Sequence, residues 1–144
     1  IGSFARVLRV RQSPLAISLT VREGESAPLA NSAVGNALLA RHDDAAIRTI
    51  VEKYDRTVPP DRRRPLAQIL GEVATVRARG VSVGYDKWLP DAGAIVATLD
   101  PATFREVIAV GIGGPRFRIE RNEERLVRTL LAALRRFAPG QRSV

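Results

Sequence analysis

The chain has 144 residues, of which 45% are apolar, 26% charged and 5% aromatic; these proportions exclude a disordered or collagen-like chain, and the length fits a single domain. No apolar run approaches the roughly 18–20 residues that a transmembrane helix needs, and the absence of cysteine excludes a disulfide framework and a thiolate metal site. The net charge of +8 comes from an excess of arginine in residues 1–22 and 115–144, a distribution that does not favour a nucleic-acid-binding face.

The first part of the chain predicts two strands and a short helix. Alternation of apolar with polar residues predicts strands over residues 4–12 and 15–21, followed by a loop over 24–28. Asn31 has a side-chain oxygen that can accept a hydrogen bond from a free helical N–H group. We therefore expect Asn31 to cap a helix that ends at Ala40.

Two amphipathic helices are predicted next, separated by a polar loop over residues 55–64. Asp43 or Asp44 caps the first helix, Pro65 suits the first turn of the second, and Gly80 ends it. Apolar residues recur at the spacing of one helical face in both helices. The side chains predicted to be buried are Ile47, Ile50, Val51 and Tyr54 in the first helix and Leu66, Ile69, Leu70, Val73 and Val76 in the second.

The last part of the chain predicts three strands and a helix. The strands cover residues 81–85, 94–99 and 105–113, and a tight connection at 100–103 makes the last two antiparallel neighbours. Glycine and proline after the third strand should stop it, and Asn122 should cap the final helix. This helix is predicted to bury Leu126, Val127, Leu130, Leu131, Leu134 and Phe137. The order of elements predicts an α+β fold, one mixed or antiparallel sheet with helices packed on it.

The sequence lacks the residue sets that common enzyme sites require. His42 is the one histidine, so a histidine metal cluster is excluded, and the serines have no base at motif spacing. We expect the pair Glu123 and Glu124 to occupy a helix start, where the helix dipole explains them. Residues 111–114 do not predict a phosphate loop, because we expect no helix directly after them and there is no P-loop lysine. The sequence therefore predicts neither an enzyme nor a cofactor or metal site.

Small residues on the late strands predict a cavity on one face of the sheet. Gly84 ends one strand, residues 92–94 start the next, and Gly111 and Gly113 alternate along the third. The alternative is that these glycines allow a helix to approach the sheet closely. Beside them stand Tyr85, Asp86 and Trp88, which would form an amphipathic wall typical of a small-molecule site.

Five stretches, in order along the chain, carry a resemblance to a known family: Ser18–Val21, Pro28–Ala40, Val76–Val83, Tyr85–Ile95 and Ala109–Pro115. Together they resemble the C-terminal effector-binding domain of IclR-type bacterial transcriptional regulators. The resemblance implies a GAF-like antiparallel sheet flanked by helices, formed by residues 1–144. It also implies that a DNA-binding helix-turn-helix and the first strands of the domain precede Ile1.

The resemblance further implies what this domain does. It would bind a small metabolite in a cytoplasmic homodimer or homotetramer, and the ligand would alter operator binding by the helix-turn-helix. DNA would be contacted only through that absent part, so we expect these 144 residues alone to bind DNA weakly and without sequence preference. The alternative is a GAF-like sensory module of another signalling protein.

The resemblance places the ligand-binding site at Ala33, Val34, Gly84, Asp86, Ala92, Ala94, Gly111 and Gly113, and the cavity argument adds Tyr85 and Trp88. Members of the family that bind small keto acids offer an acid, a thiol and hydroxyls where this chain has Gly84, Ala94, Gly111 and Gly113. The site here would be larger and less polar, and we expect an acid with an aromatic or bulky apolar body. Its carboxylate would bind the N–H groups of Ala33, Val34 and Gly35, because no buried lysine or arginine is evident as another anchor. The alternative anchor is Arg116 or Arg118, either of which could reach round to the site.

Overall fold

Antiparallel strands and α-helices make up the described part of the chain, residues 2–99 and 106–137, in a computed structural model. In chain order the elements are β1 (Phe4–Arg6), β2 (Ser26–Pro28), α1 (Ala33–Leu39), α2 (Asp44–Asp55), α3 (Leu66–Arg79), β3 (Ser82–Tyr85), β4 (Ala92–Thr98), β5 (Ala109–Pro115) and α4 (Arg116–Arg135). Short 3₁₀ turns precede α1 and α3. The predicted α+β class and the antiparallel pairing of the late strands are confirmed.

The three-stranded sheet has the order β3-β4-β5. In its register Gly84 lies opposite Ala94, which lies opposite Gly113, and Gly111 lies opposite Val96. Because successive side chains of a strand point to opposite faces, these residues share one face, which we call the small-residue face. Helix α1 packs on this face, and α4 packs on the other.

Two larger apolar clusters form most of the interior of the described residues, and a third, smaller one of Ala33, Ala37 and Val96 lies between α1 and the sheet. One lies among the helices α1, α2 and α3 and contains Leu29, Ala30, Leu39, Ile47, Ile50, Val51, Tyr54, Ile69 and Val73. The other lies between the sheet and α4 and contains Val81, Ile95, Ala97, Ile119 and Leu130. The buried faces predicted for α2 and α3 are thus confirmed, with Leu66 and Leu70 partly buried at the edge. Gly80 ends α3 in the left-handed conformation, as predicted.

The second predicted strand is wrong. Residues 15–21 form no strand, and residues 26–28, predicted as loop, form β2 and pair with β1. The alternation at 15–21 has no neighbouring strand to complete its hydrogen bonds, and Leu15 and Ile17 are 53% and 63% exposed. Strand β1 is also shorter than predicted and ends at Arg6.

The predicted cap of the first helix is wrong by one residue. Asn31 lies in the 3₁₀ turn that precedes α1, and Ser32 is the residue that caps the helix. The Ser32 hydroxyl accepts a hydrogen bond from the Gly35 N–H at 2.9 Å and donates one to the Pro28 carbonyl at 2.6 Å. At the next helix the prediction is confirmed, since Asp43 caps α2 by accepting from the Ala46 N–H at 2.8 Å.

The boundary between the last strand and the last helix is also different. Strand β5 continues through the glycines to Pro115, and α4 begins directly at Arg116. Asn122 therefore does not cap the helix; its side-chain amide donates to the Arg118 carbonyl one turn earlier, at 2.8 Å. Proline has no N–H to donate to a further ladder hydrogen bond, so Pro115 ends β5, and it is also the residue immediately before α4.

Three further expectations about this helix are wrong. Glu123 and Glu124 lie within α4 and not at its start, and a helix does follow the glycine run 111–114 directly. Phe137 lies beyond the end of α4 and is 59% exposed, whereas we expected it to be buried. The third late strand begins later than predicted, because residues 106–108 form no strand and β5 starts at Ala109. The predicted connection at 100–103 and position 105 lie outside the described residues, as do residues 138–140, whose proline and glycine we expect to end the last helix.

Candidate functional site

A cavity of about 1170 Å³ opens on the small-residue face of the sheet. Strands β4 and β5 form its floor, α1 borders it on one side, and the segment that joins β1 to β2 lies across it. Eight of the ten residues predicted for the ligand site line this cavity: Ala33, Val34, Gly84, Trp88, Ala92, Ala94, Gly111 and Gly113. The fold thus brings together residues that are up to 80 positions apart in the sequence.

The other two predicted site residues lie elsewhere. Tyr85 points to the opposite face of the sheet, where its hydroxyl donates to Glu123 at 2.8 Å; burial and this carboxylate raise the pKa of Tyr85 well above its usual value. Asp86 accepts from the Asp91 N–H at 2.6 Å and pairs with Arg116, which lowers the pKa of its carboxyl. Strand alternation alone would have separated Tyr85 from Gly84, because adjacent residues face opposite sides.

The glycines of the face serve two different purposes. A Cβ added at Gly84 would lie 2.9 Å from the Cβ of Ala33, so this glycine allows α1 to approach the sheet closely. A Cβ added at Gly113 would meet only the tip of Leu19 at 3.3 Å and the Gly93 carbonyl at 3.8 Å. Close helix approach therefore explains Gly84, whereas Gly113 leaves space in the cavity wall.

The cover of the cavity was not predicted from the sequence. Residues 7–22, which we call the cover segment, run over the sheet without regular structure, and most of them line the cavity. Leu19 lies over Gly113, and the Arg118 guanidinium of α4 donates to the Ile17 carbonyl at 2.7 Å. One arginine therefore attaches the cover segment to the helix beside the cavity.

The helix start that was predicted to hold a carboxylate has one donor fewer than expected. The Gly35 N–H is already bonded to the Ser32 hydroxyl, which leaves the N–H groups of Ala33 and Val34. Helix α1 has only seven residues, so its dipole is short. This helix start is a weaker anion site than the sequence suggested.

A largely buried charged cluster, which we call the Glu72 cluster, lies beside the cavity and was also missed. The Glu72 carboxylate accepts from Arg64 at 2.5 Å, from Lys87 at 2.8 Å and from the amide of Asn36 at 2.8 Å. Burial alone would raise the pKa of Glu72, but these hydrogen bonds lower it to about 2. Lys87 lines the cavity as well, so a partly buried cation does exist in the wall. The periodicity of the sequence could not reveal the Glu72 cluster, because its members come from separate elements: α1, the loop before α3, α3 itself and the connection after β3.

In residues 2–99 and 106–137, no group of three or more histidine, cysteine, aspartate or glutamate side chains is arranged to hold a metal ion. None of the helices in the same residues is long and apolar enough to cross a membrane.

Comparisons with known proteins identify what the chain is similar to. The family described as the C-terminal domain of bacterial IclR transcriptional regulators matches residues 3–139. No curated protein matches the chain. Among solved structures, the effector domain of a protein named as the transcriptional regulator IclR from Acinetobacter sp. ADP1 matches with a TM-score of 0.85 and 23% identity, covering 99% of this chain and 81% of that one.

Two other structures match over most of this chain. The C-terminal domain of a protein named as a transcriptional regulator from Vibrio cholerae has a TM-score of 0.75 and 24% identity, covering 94% of this chain and 79% of that one. An IclR-family transcriptional regulator from Brucella abortus has a TM-score of 0.67 and 19% identity, covering 88% of this chain. The matched part is 53% of the Brucella protein, so this chain spans about half the length of that regulator.

Proposed function

Because the chain belongs to the family of C-terminal domains of bacterial IclR transcriptional regulators, we propose that it is a sensor domain that binds a small organic acid. The cavity on the small-residue face carries this proposal, since eight residues expected at a ligand site line this one open cavity. Ligand binding would change the affinity of the regulator for operator DNA, which another part of the regulator contacts. The domain itself would catalyse no reaction and would act in the cytoplasm.

The cavity favours an acid with an aromatic or bulky apolar body. Its volume of about 1170 Å³ is at or above the upper end of common ligand sites, and Gly111, Gly113 and Ala94 leave its floor without large side chains. Trp88 adds a flat apolar surface with one N–H donor. Acids of two or three carbons would leave most of this space unfilled. Tyr85 and Asp86 are left out of the proposed site because neither lines the cavity and each is bonded to a residue of α4.

We also propose that the domain associates into a dimer or tetramer. Several large apolar side chains are exposed in the described residues, and exposed apolar patches commonly mark protein interfaces. They include Leu8, Leu15, Ile17, Val110 and Phe117. The alternative function, a GAF-like sensory module of another signalling protein, is less well supported, because the matching family and structures are transcriptional regulators.

Replacing Gly113 with leucine tests the proposed site. The new side chain would project into the cavity, and its Cβ would meet only the movable tip of Leu19, so we expect the domain to fold and ligand binding to be abolished. The control is Gly71→Leu, because Gly71 is outside the cavity lining and a Cβ there meets nothing within 4 Å. Calorimetry with a panel of aromatic, cycloaliphatic and short keto acids measures binding. The proposal is wrong if only two- or three-carbon acids bind, or if Gly113→Leu binds as well as the parent.

A further inference from the structure

Lys87 is the one cavity-lining residue that also belongs to the Glu72 cluster. We infer that Lys87 recognises the anionic group of the ligand, a single carboxylate on an apolar body. This inference rests on the proposed sensing function and adds to it the residue that distinguishes an acid from a neutral molecule of the same shape.

The charges of the Glu72 cluster do not balance. Two cations, Arg64 and Lys87, share the single carboxylate of Glu72, whose Oε1 accepts from Arg64 and whose Oε2 accepts from Lys87 and Asn36. The side chains of Arg64, Lys87 and Glu72 are only 15%, 17% and 28% exposed. One positive charge is therefore in excess at a place with little water, where an unbalanced charge is costly. A bound anion would complete the charge balance.

The position of Lys87 makes it the member of the cluster that a ligand can reach. Its side-chain carbons lie over Gly84, with Cδ 3.0 Å and Cε 3.2 Å from the place of an added Cβ, so the glycine makes room for the lysine. Glu72, Arg64 and Asn36 do not line the cavity. A lysine ammonium has three N–H donors, and Glu72 is its one ion-pair partner in the described residues. Donors remain for a ligand carboxylate.

The other cations around the cavity are less suited to this recognition. Exposed arginines at its mouth attract any anion only weakly, because water and salt screen them; they are Arg6, Arg9, Arg11 and Arg125. Arg118 is half-buried, but it donates to the Ile17 carbonyl of the cover segment. Lys87 is the more buried charge, and electrostatic attraction is stronger where the dielectric constant is low.

The test compares acids with neutral amides of the same shape. Calorimetry is run with benzoate, cyclohexanecarboxylate and 2-naphthoate and with the primary amide of each, and the fluorescence of Trp88, the single tryptophan, reports occupancy for the cyclohexane pair. We expect the parent to bind the best acid at least tenfold more tightly than its amide. Lys87→Met should abolish that preference and leave the affinity for the amide within about twofold.

Two control variants distinguish the loss of Lys87 from the loss of any other positive charge. Lys53→Met removes the only other lysine, which is exposed on α2, and should keep the preference for the acid. Arg118→Met should also keep it. If circular dichroism finds Lys87→Met unfolded, Lys87→Gln replaces it, because glutamine can still donate to Glu72 without a charge.

The outcomes distinguish this inference from the function on which it rests. If Lys87→Met retains the preference, or Arg118→Met abolishes it, the anchor is not Lys87, whereas the sensing function stands because ligands still bind. Equal affinity of the parent for acid and amide would likewise overturn the inference alone. If the parent binds none of the acids or amides, the proposed function fails and the inference fails with it.

Discussion

At the level of single residues, the glycines differ in what their missing side chain allows. A Cβ on Gly35 would overlap the backbone oxygen of Leu29, so only glycine lets the 3₁₀ turn lie against α1. Gly80 has a φ of +74°, which other residues adopt at a cost. Gly71 has no such reason, because a Cβ there meets nothing within 4 Å and its φ is not left-handed.

Alanine at Gly35 and alanine at Gly71 should therefore have opposite effects on the free energy of unfolding. We expect Gly35→Ala to lower the free energy of unfolding by about 2–3 kcal/mol, since backbone has to move to relieve the contact. Gly71→Ala, the matched control within α3, should raise it by about 0.5–1 kcal/mol through helix propensity. Urea denaturation measures both. A Gly35→Ala domain as stable as the parent would contradict the close approach.

At the level of elements, capping preferences alone do not identify the residue that caps α1. Asn31 and Ser32 are both good capping residues and are adjacent. The turn formed by Leu29–Asn31 places Ser32 at the helix start, and Ser32 is 2% exposed, with both its donor and its acceptor in use. Asn31 instead makes a long 3.4 Å hydrogen bond to the Lys87 carbonyl.

Alanine substitution should separate the two residues. We expect Ser32→Ala to lower the free energy of unfolding by about 1–2 kcal/mol, because the Gly35 N–H and the Pro28 carbonyl both lose a partner. Asn31→Ala should change it by less than about 0.5 kcal/mol. Thermal and urea unfolding of the two variants, side by side, provide the comparison. The reverse order of effects would restore Asn31 as the cap.

At the level of the whole molecule, the two larger apolar clusters of the described residues are connected by a small apolar contact, by the Glu72 cluster and by the ion pair of Arg79 with Glu123 at 3.7 Å. Ala33, Ala37 and Val96 form the apolar contact between α1 and the sheet. The Glu72 cluster joins α3 to Lys87 in the connection after β3, beside the cavity. The stability of the folded domain should therefore depend on the ionisation of Glu72.

The sign of this pH dependence follows from the pKa. The folded pKa of Glu72, about 2, lies below its ordinary value of 4.5, so ionised Glu72 stabilises the fold above pH 4.5 and this stabilisation is lost as the pH falls from 4.5 towards 2. The difference corresponds to at most about 3 kcal/mol. We expect Glu72→Gln to be less stable than the parent at pH 7, and the difference in the free energy of unfolding to shrink steadily as the pH falls from 4.5 towards 2.

Urea unfolding at a series of pH values measures this difference. The control is Glu52→Gln, which removes an exposed carboxylate from α2 and should be as stable as the parent across the series. A constant difference between parent and Glu72→Gln across the series would mean that Glu72 contributes by packing and not by its charge.

The sequence by itself determined the features that depend on neighbours along the chain. The periodic apolar residues gave the buried faces of α2 and α3, and Gly80 gave the end of α3. The alternation of small residues on the late strands predicted that they share one face of the sheet, and they do. Eight of the ten expected site residues line the cavity on that face. Periodicity and local capping are properties of short segments, so they can be recognised without knowing the fold.

Only the tertiary structure decided the features that depend on partners far away in the sequence. Residues 15–21 alternate like a strand but lack a partner strand, whereas 26–28 pair with β1 because Gly24 turns the chain back on it. The start of α4 at Arg116 follows from the ladder that holds β5 as far as Pro115. Lys87 acquired its charged partner, Glu72, from α3. Strand pairing and ion pairing depend on which residues are close in space. That proximity between distant positions arises only when the chain has folded, so a single sequence does not show it.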